Sequence, residues 1–280
     1  MPQTEGMDIG LDDPAAMEAL WRAVSIVEVV DSLHDEIVGI AYSEKSEIYR
    51  LARALPTGPI SFDRTMIVAV EAARGALDQI SYILHQNAPT SAIVLQALLR
   101  AALIGSGRTV FALLPSDPSV RLQKARVLIA QEGRGFTQAL GCYARFKSLS
   151  GLRPDAQYLA TAQEQNSAIQ EGSRPPGDGV VMRGAAEAVA AALTATPEYR
   201  NENRETLQEH VTWLWNTYSG AAHTHAWPRL LPGFGRDRRF PGDFPGDFGM
   251  IAMTAQIAMI SVKSRLQPGS ANITAPVPLT

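Results

Sequence analysis

Arg100 and Arg108 are the charged residues in an otherwise apolar stretch from Thr90 to Pro115. A guanidinium in such surroundings must meet a carboxylate, backbone carbonyls or a bound anion. Their spacing is about two turns of a helix, so they are expected to share roughly one face. Two readings follow. One is a buried ion pair with an acid from another helix. The other is a site for phosphate or another anion, for which the planar guanidinium is suited.

A second group of reactive side chains lies in Tyr218-Ser219-Gly220-Ala221-Ala222-His223-Thr224-His225. On a continuing helix Ser219 and His223 are neighbours, and His210, Leu214 and Tyr218 form an adjoining stripe flanked by Trp213 and Trp215. Histidine exchanges protons near neutral pH, so a pocket built around His223 could do acid–base chemistry. The alternative is a helix end at which His223 and His225 satisfy terminal carbonyls and the helix dipole. A metal site using His210, His223 and His225 is a further reading, with no carboxylate assigned to it, and the expectation is neither a metal nor a cofactor.

A third group is the segment Arg229 to Phe240. Its Arg229, Arg236, Arg238 and Arg239 stand against Asp237, and Phe234 and Phe240 are interleaved with them. Such a loop can hold single-stranded nucleic acid. It can equally be latched by Asp243 and Asp247, which follow at once.

The segments Leu99-Arg100-Ala101-Ala102-Leu103 through Ala112-Leu113-Leu114-Pro115, and Leu214-Trp215 through Tyr218-Ser219-Gly220-Ala221-Ala222-His223, resemble bacterial all-helical proteins, some of them HEPN-like. That resemblance implies a helical, often dimeric protein acting on RNA in a defence or toxin-type system, in many cases as a metal-independent ribonuclease. The HEPN signature is an arginine followed, after four to six residues, by a histidine. Arg204-Glu205-Thr206-Leu207-Gln208-Glu209-His210 is similar to it. In such a site the histidine serves the 2′-hydroxyl and the arginine clamps the scissile phosphate. The candidate catalytic residues are therefore His223, His210, Arg204 and Ser219. The candidate ligand residues are Arg100, Arg108, Tyr218, Arg236, Arg238 and Arg239. RNA and a second copy of the chain are the expected partners. A non-catalytic helical interaction protein and a small-ligand or anion-binding protein are the alternatives.

Several chemistries are not encoded. No Gly-Lys pair exists for a P-loop, and no Gly-x-Ser-x-Gly elbow or His-Glu-x-x-His zinc helix is present. The lone Cys142 excludes an internal disulfide and a thiolate zinc site, and its apolar helical surroundings predict a small buried core residue. Residues 1–60 hold 11 acids and 4 bases, a charge of −7; against the overall −3, the rest of the chain is +4. A strongly basic nucleic-acid-binding domain is not indicated by this balance. The N-terminus has no base before Arg22, unlike a signal peptide, and Phe248–Val262 is too short to span a bilayer. A cytoplasmic protein with no membrane segment is expected.

The elements that must position these residues are all helices. Alanine, at 40 residues, is the strongest helix former, and no segment alternates with period two. Asp13-Pro14, Ser61, Ser91, Asp117-Pro118 and Pro154-Asp155 read as helix starts. Apolar residues recur at helical spacing from Ala15 to Leu55, then to Gln86, Leu114, Phe146 and Glu171. Later helices are expected over Met182–Ala195, from Pro197 to Ala222, and from Phe248 to Leu266. The tandem Pro241-Gly242-Asp243-Phe244 and Pro245-Gly246-Asp247-Phe248 reads as two successive turns. The expectation is an all-α bundle of about eight helices with no sheet. Tails cover 1–12 and 267–280. A helical bundle over 13–171, a linker over 172–181 and a C-terminal helical part over 182–266 complete it.

Overall fold

A computed structural model describes residues 13–41, 43–56, 58, 60–169, 175–223 and 243–268. Among these, the chain is helical throughout its regular structure, with no strand. The elements are α1 (Pro14–Gly39), α2 (Glu47–Ala54), α3 (Phe62–His85), α4 (Ala92–Leu113), α5 (Pro118–Tyr143), α6 (Ala156–Ile169), α7 (Asp178–Thr194), α8 (Arg204–Ala222) and α9 (Phe244–Leu266). A single 3-10 turn, Ser150–Leu152, sits between α5 and α6.

The expected caps act through their side chains, except Ser61, which makes no side-chain cap hydrogen bond at the start of α3. The carboxylates of Asp13 and Asp117 accept from the N–H groups of Ala15 (3.0 Å) and Ser119 (2.7 Å). Ser91 Oγ accepts from Val94, and Asp155 accepts from Gln157 and Tyr158. Each satisfies N–H groups that the first helical turn leaves without partners. The end of α3 is a Schellman turn. Asn87 takes φ 45°, its N–H reaches Leu84 O, and Ala88 N–H reaches Ile83 O.

Three boundaries differ from the sequence expectation. The apolar run from Ala15 to Leu55 is two helices. Ser43 accepts from Lys45 N–H through Oγ and from Ser46 N–H through its carbonyl, and Ser46 Oγ then caps α2 through Tyr49 N–H. These local bonds compete with the helical ladder and stop α1. Asn203, rather than Pro197, caps α8, its Oδ1 accepting from Glu205 N–H at 2.8 Å. The second Pro-Gly-Asp-Phe unit is not a turn. Phe244–Phe248 forms the first turns of α9, where a proline costs no hydrogen bond. Cys142, expected in the core, is exposed.

α4 is the hub. Packed on by α3, α5, α7, α8 and α9, it buries residues around its whole circumference, among them Leu95, Leu99, Ala102, Leu103, Val110 and Leu113. Burying one leucine side chain stabilises by about 1.5–3 kcal/mol, so the helix anchors the bundle. It is long and apolar enough to cross a membrane by composition, and its position in the core accounts for that apolarity. Gly105 allows the closest approach. A Cβ there would lie 2.2 Å from the Ala69 carbonyl oxygen of α3. α9 runs along α1 and also packs on α4.

One charged cluster lies inside. The Glu47 carboxylate of α2 receives Arg121 Nε of α5 at 2.6 Å and Arg265 Nη1 of α9 at 3.0 Å. Arg121 Nη1 also donates to the carbonyls of Pro115 (2.5 Å) and Ser116 (2.7 Å). All three side chains are buried.

Candidate functional site

Trp215, Ser219 and His223 recur every four residues on α8, so they form one stripe, and the stripe meets α4 at Arg100. Arg100 Nε donates to Ser219 Oγ at 3.3 Å. Arg100 Nη2 lies 3.4 Å from His223 Nε2, and the guanidinium carbon is 5.6 Å from the centre of the Trp215 ring. Arginine only donates, so in this contact the acceptor is His223 Nε2. Ser219 is half-buried and His223 exposed, which leaves this corner open to solvent. Trp215 supports the guanidinium through its ring face.

Electrostatically, this arginine differs from Arg74, Arg108, Arg121 and Arg265. Arg74 pairs with Asp31, Arg108 with Glu132, and Arg121 and Arg265 with Glu47. Among the described residues, no carboxylate pairs with Arg100. Its neighbours among the described residues are a hydroxyl, an imidazole and an indole. Chemically, the corner can bind an oxyanion on the guanidinium and Ser219. It can also move a proton at His223 Nε2.

Arg108 does not join this corner. Eight residues of helix turn through about 800°, which leaves the two arginines about 80° apart around α4. Arg100 therefore faces α8, while Arg108 turns to Glu132 on α5. The single-face expectation fails on that residual angle.

His210 and Tyr218 meet a different partner. His210 Nε2 lies 3.2 Å from Asp247 Oδ1, and Tyr218 donates its hydroxyl to Asp247 Oδ2 at 2.5 Å. Tyr218 and Asp247 are buried, with 0% and 2% exposure. Burial pushes the Asp247 carboxyl above the usual carboxylate range, against the hydrogen bonds from His210 and Tyr218, which favour the ionised form. Burial and the neighbouring Asp247 charge drive the Tyr218 phenol well above its ordinary value. The loop arginines that Asp247 could latch lie outside the described residues; Asp247 ties α8 to α9 at the first turn of α9, where the helix dipole favours a negative charge. Tyr218, a candidate ligand residue, is committed to this interior contact.

The Arg204-to-His210 spacing is not assembled into one site. Arg204 is exposed in the first turn of α8, with Nη2 3.8 Å from Glu187 of α7, while His210 turns to α9. Arg236, Arg238 and Arg239 lie outside the described residues, as does His225. Among the described residues, no group of three His, Cys, Asp or Glu side chains converges to hold a metal ion.

Sequence reasoning missed Asp247 as a partner of His210. Its signal, an acid in a helical first turn, was hidden by reading the second Pro-Gly-Asp-Phe as a turn. No protein-family model, curated protein or solved structure matches the chain.

Proposed function

We propose that the protein is a HEPN-like, RNA-directed protein of a defence or toxin-type system that binds an RNA phosphate at Arg100 and Ser219 and cuts the chain there with His223. The observation that carries this reading is the Arg100 guanidinium, which faces a hydroxyl and an imidazole rather than a carboxylate. An RNA phosphate supplies the missing negative charge, and the Trp215 face holds the guanidinium in place for it. With Arg100 turned to the phosphate, His223 Nε2 accepts the 2′-hydroxyl proton, and the 2′-oxygen bonds to phosphorus. The P–O5′ bond then breaks, and the departing oxygen takes a proton from water. His223 returns its proton to solvent, leaving a 2′,3′-cyclic phosphate and a 5′-hydroxyl end. Arg236, Arg238 and Arg239, which follow His223 in the sequence, add positive charge for further phosphates. A second copy of the chain is the proposed partner, on the resemblance alone.

The test incubates purified protein with total and transfer RNA, with and without EDTA, beside Arg100→Ala, His223→Ala and His210→Ala. Cleavage that survives EDTA and falls by about a hundredfold or more in His223→Ala supports the reading. Arg100→Ala should lose RNA binding as well as cleavage. His210→Ala should keep its cleavage if it keeps its fold. Cleavage unchanged in His223→Ala refutes the assignment. RNA that is bound but never cut leaves an anion-binding protein. RNA neither bound nor cut returns the chain to a non-catalytic helical interaction protein, a reading favoured by the inward engagement of His210 and Tyr218.

A further inference from the structure

The Arg100 corner does not end at Trp215. Met182 of α7 is buried in the space that a Cβ at Gly107 of α4 would take, its Cε 2.5 Å from that position. This contact seats the early turns of α7 on α4 and leaves the next residue, Arg183, turned outward and exposed. One turn before Arg183, Gly179 has no side chain to fill the space beside α8. A Cβ there would lie 3.8 Å from Arg183 Nη1 and 3.9 Å from the indole Nε1 of Trp215. Two donors therefore border one opening.

Among the described residues, neither donor has an acceptor. The acids of α7 do not answer Arg183. Glu187 stands 3.8 Å from Arg204, and Asp178 forms no ion pair among the described residues. Trp215 thus has a guanidinium at two places. Arg100 lies over its ring face, 5.6 Å from the centre, and Arg183 lies beside its N–H edge. Like charges so placed repel each other, and anions bound to them remove the repulsion.

A single phosphate on Arg100 and Ser219 leaves Arg183 without a counter-charge. An RNA chain presents a second phosphate on the adjoining nucleotide. Resting on the RNA reading of the Arg100 corner, we infer that Arg183 and the Trp215 N–H hold the phosphate next to the scissile one. The substrate is then a chain with at least two phosphates rather than a dinucleoside monophosphate. Trp215 stands about 12 Å along α8 from His223. The second contact is therefore at the far end of the stripe from the proton acceptor, and Arg183 positions the RNA without entering the chemistry.

Fluorescence anisotropy of a labelled single-stranded RNA of mixed sequence, titrated with the intact protein between about 50 and 200 mM salt, tests this. Each phosphate neutralised on a single strand contributes about 0.7 to the slope of log affinity against log salt. Arg183→Gln lowers the slope by about that amount and weakens binding about tenfold. Arg50→Gln, at an exposed position on α2, leaves the slope unchanged. As an unlabelled competitor of the wild-type complex, UpUpU acts at a lower concentration than UpU, and Arg183→Gln loses most of that preference. Because Arg183 is exposed, its replacement does not threaten the fold. An unchanged slope in Arg183→Gln, or UpUpU competing no better than UpU, overturns this inference and leaves the RNA reading standing. Wild-type protein that binds no RNA overturns both.

Discussion

Replacing Glu47 with alanine removes the carboxylate that Arg121 and Arg265 share. Arg121 is 0% exposed and Arg265 6%, so neither guanidinium can turn to water without moving α5 or α9. Breaking a buried ion pair by removing one partner destabilises by about 3–5 kcal/mol, because a charge is left uncompensated. Arg121 keeps the carbonyls of Pro115 and Ser116. Arg265 loses its 3.0 Å carboxylate contact in a place where burial already pulls the guanidinium below its ordinary value. The expected loss for Glu47→Ala is therefore about 3 kcal/mol or more, a large part of the 5–15 kcal/mol that typically holds a domain folded. Urea unfolding followed by far-UV circular dichroism measures it. Glu132→Ala, which frees the less buried Arg108, should cost about 1 kcal/mol. Glu18→Ala, whose partner Arg22 is exposed, should leave the midpoint unchanged. Replacing Glu47, Arg121 and Arg265 together with apolar residues of similar volume should recover most of the loss. A Glu47→Ala midpoint no lower than that of Glu132→Ala would refute the reasoning.

Gly105→Ala forces a methyl group to within 2.2 Å of a backbone oxygen of α3 and should destabilise by about 1–3 kcal/mol in the same assay. Gly75→Ala, which meets nothing within 4 Å, should stabilise by about 0.5–1 kcal/mol. The native Asp247 carboxyl holds its proton more tightly than the unfolded chain does. Its contribution to stability is full below the ordinary carboxylate range and is lost as pH rises through the native value. The melting-temperature difference between wild type and Asp247→Asn should therefore fall from about pH 3 to pH 6, and a flat or rising difference contradicts this. In an alkaline absorbance titration, one of the seven tyrosines should ionise only together with unfolding, and Tyr218→Phe should remove that step.

The helical fold was legible because its signals are local. Asp13, Ser91, Asp117 and Asp155 cap the helices they were expected to cap, and a stretch as apolar as that around Arg100 had to lie in the centre. The break after α1 was not legible. The apolar period continues across it, while Ser43 and Ser46 redirect the backbone through their own hydrogen bonds. Arg100, Ser219 and His223 were each recognisable as candidates from chemistry and spacing. That α4 and α8 would bring them into one corner depended on helix packing. Glu47, Arg121 and Arg265 left no trace, because positions so far apart in sequence share no local pattern.

The pairing of α1 with α9 has a consequence for how the chain is made. Among the described helices α1 rests on α9, the one furthest from it in sequence, and α4 is enclosed only when α7, α8 and α9 have all arrived. On the ribosome, α1 and the apolar α4 must therefore wait for most of the chain before their faces are covered. Contacts so distant in sequence also slow folding. The nascent protein passes through a long interval with its stickiest helix uncovered, an interval in which chaperones can bind it and neighbouring chains can aggregate with it.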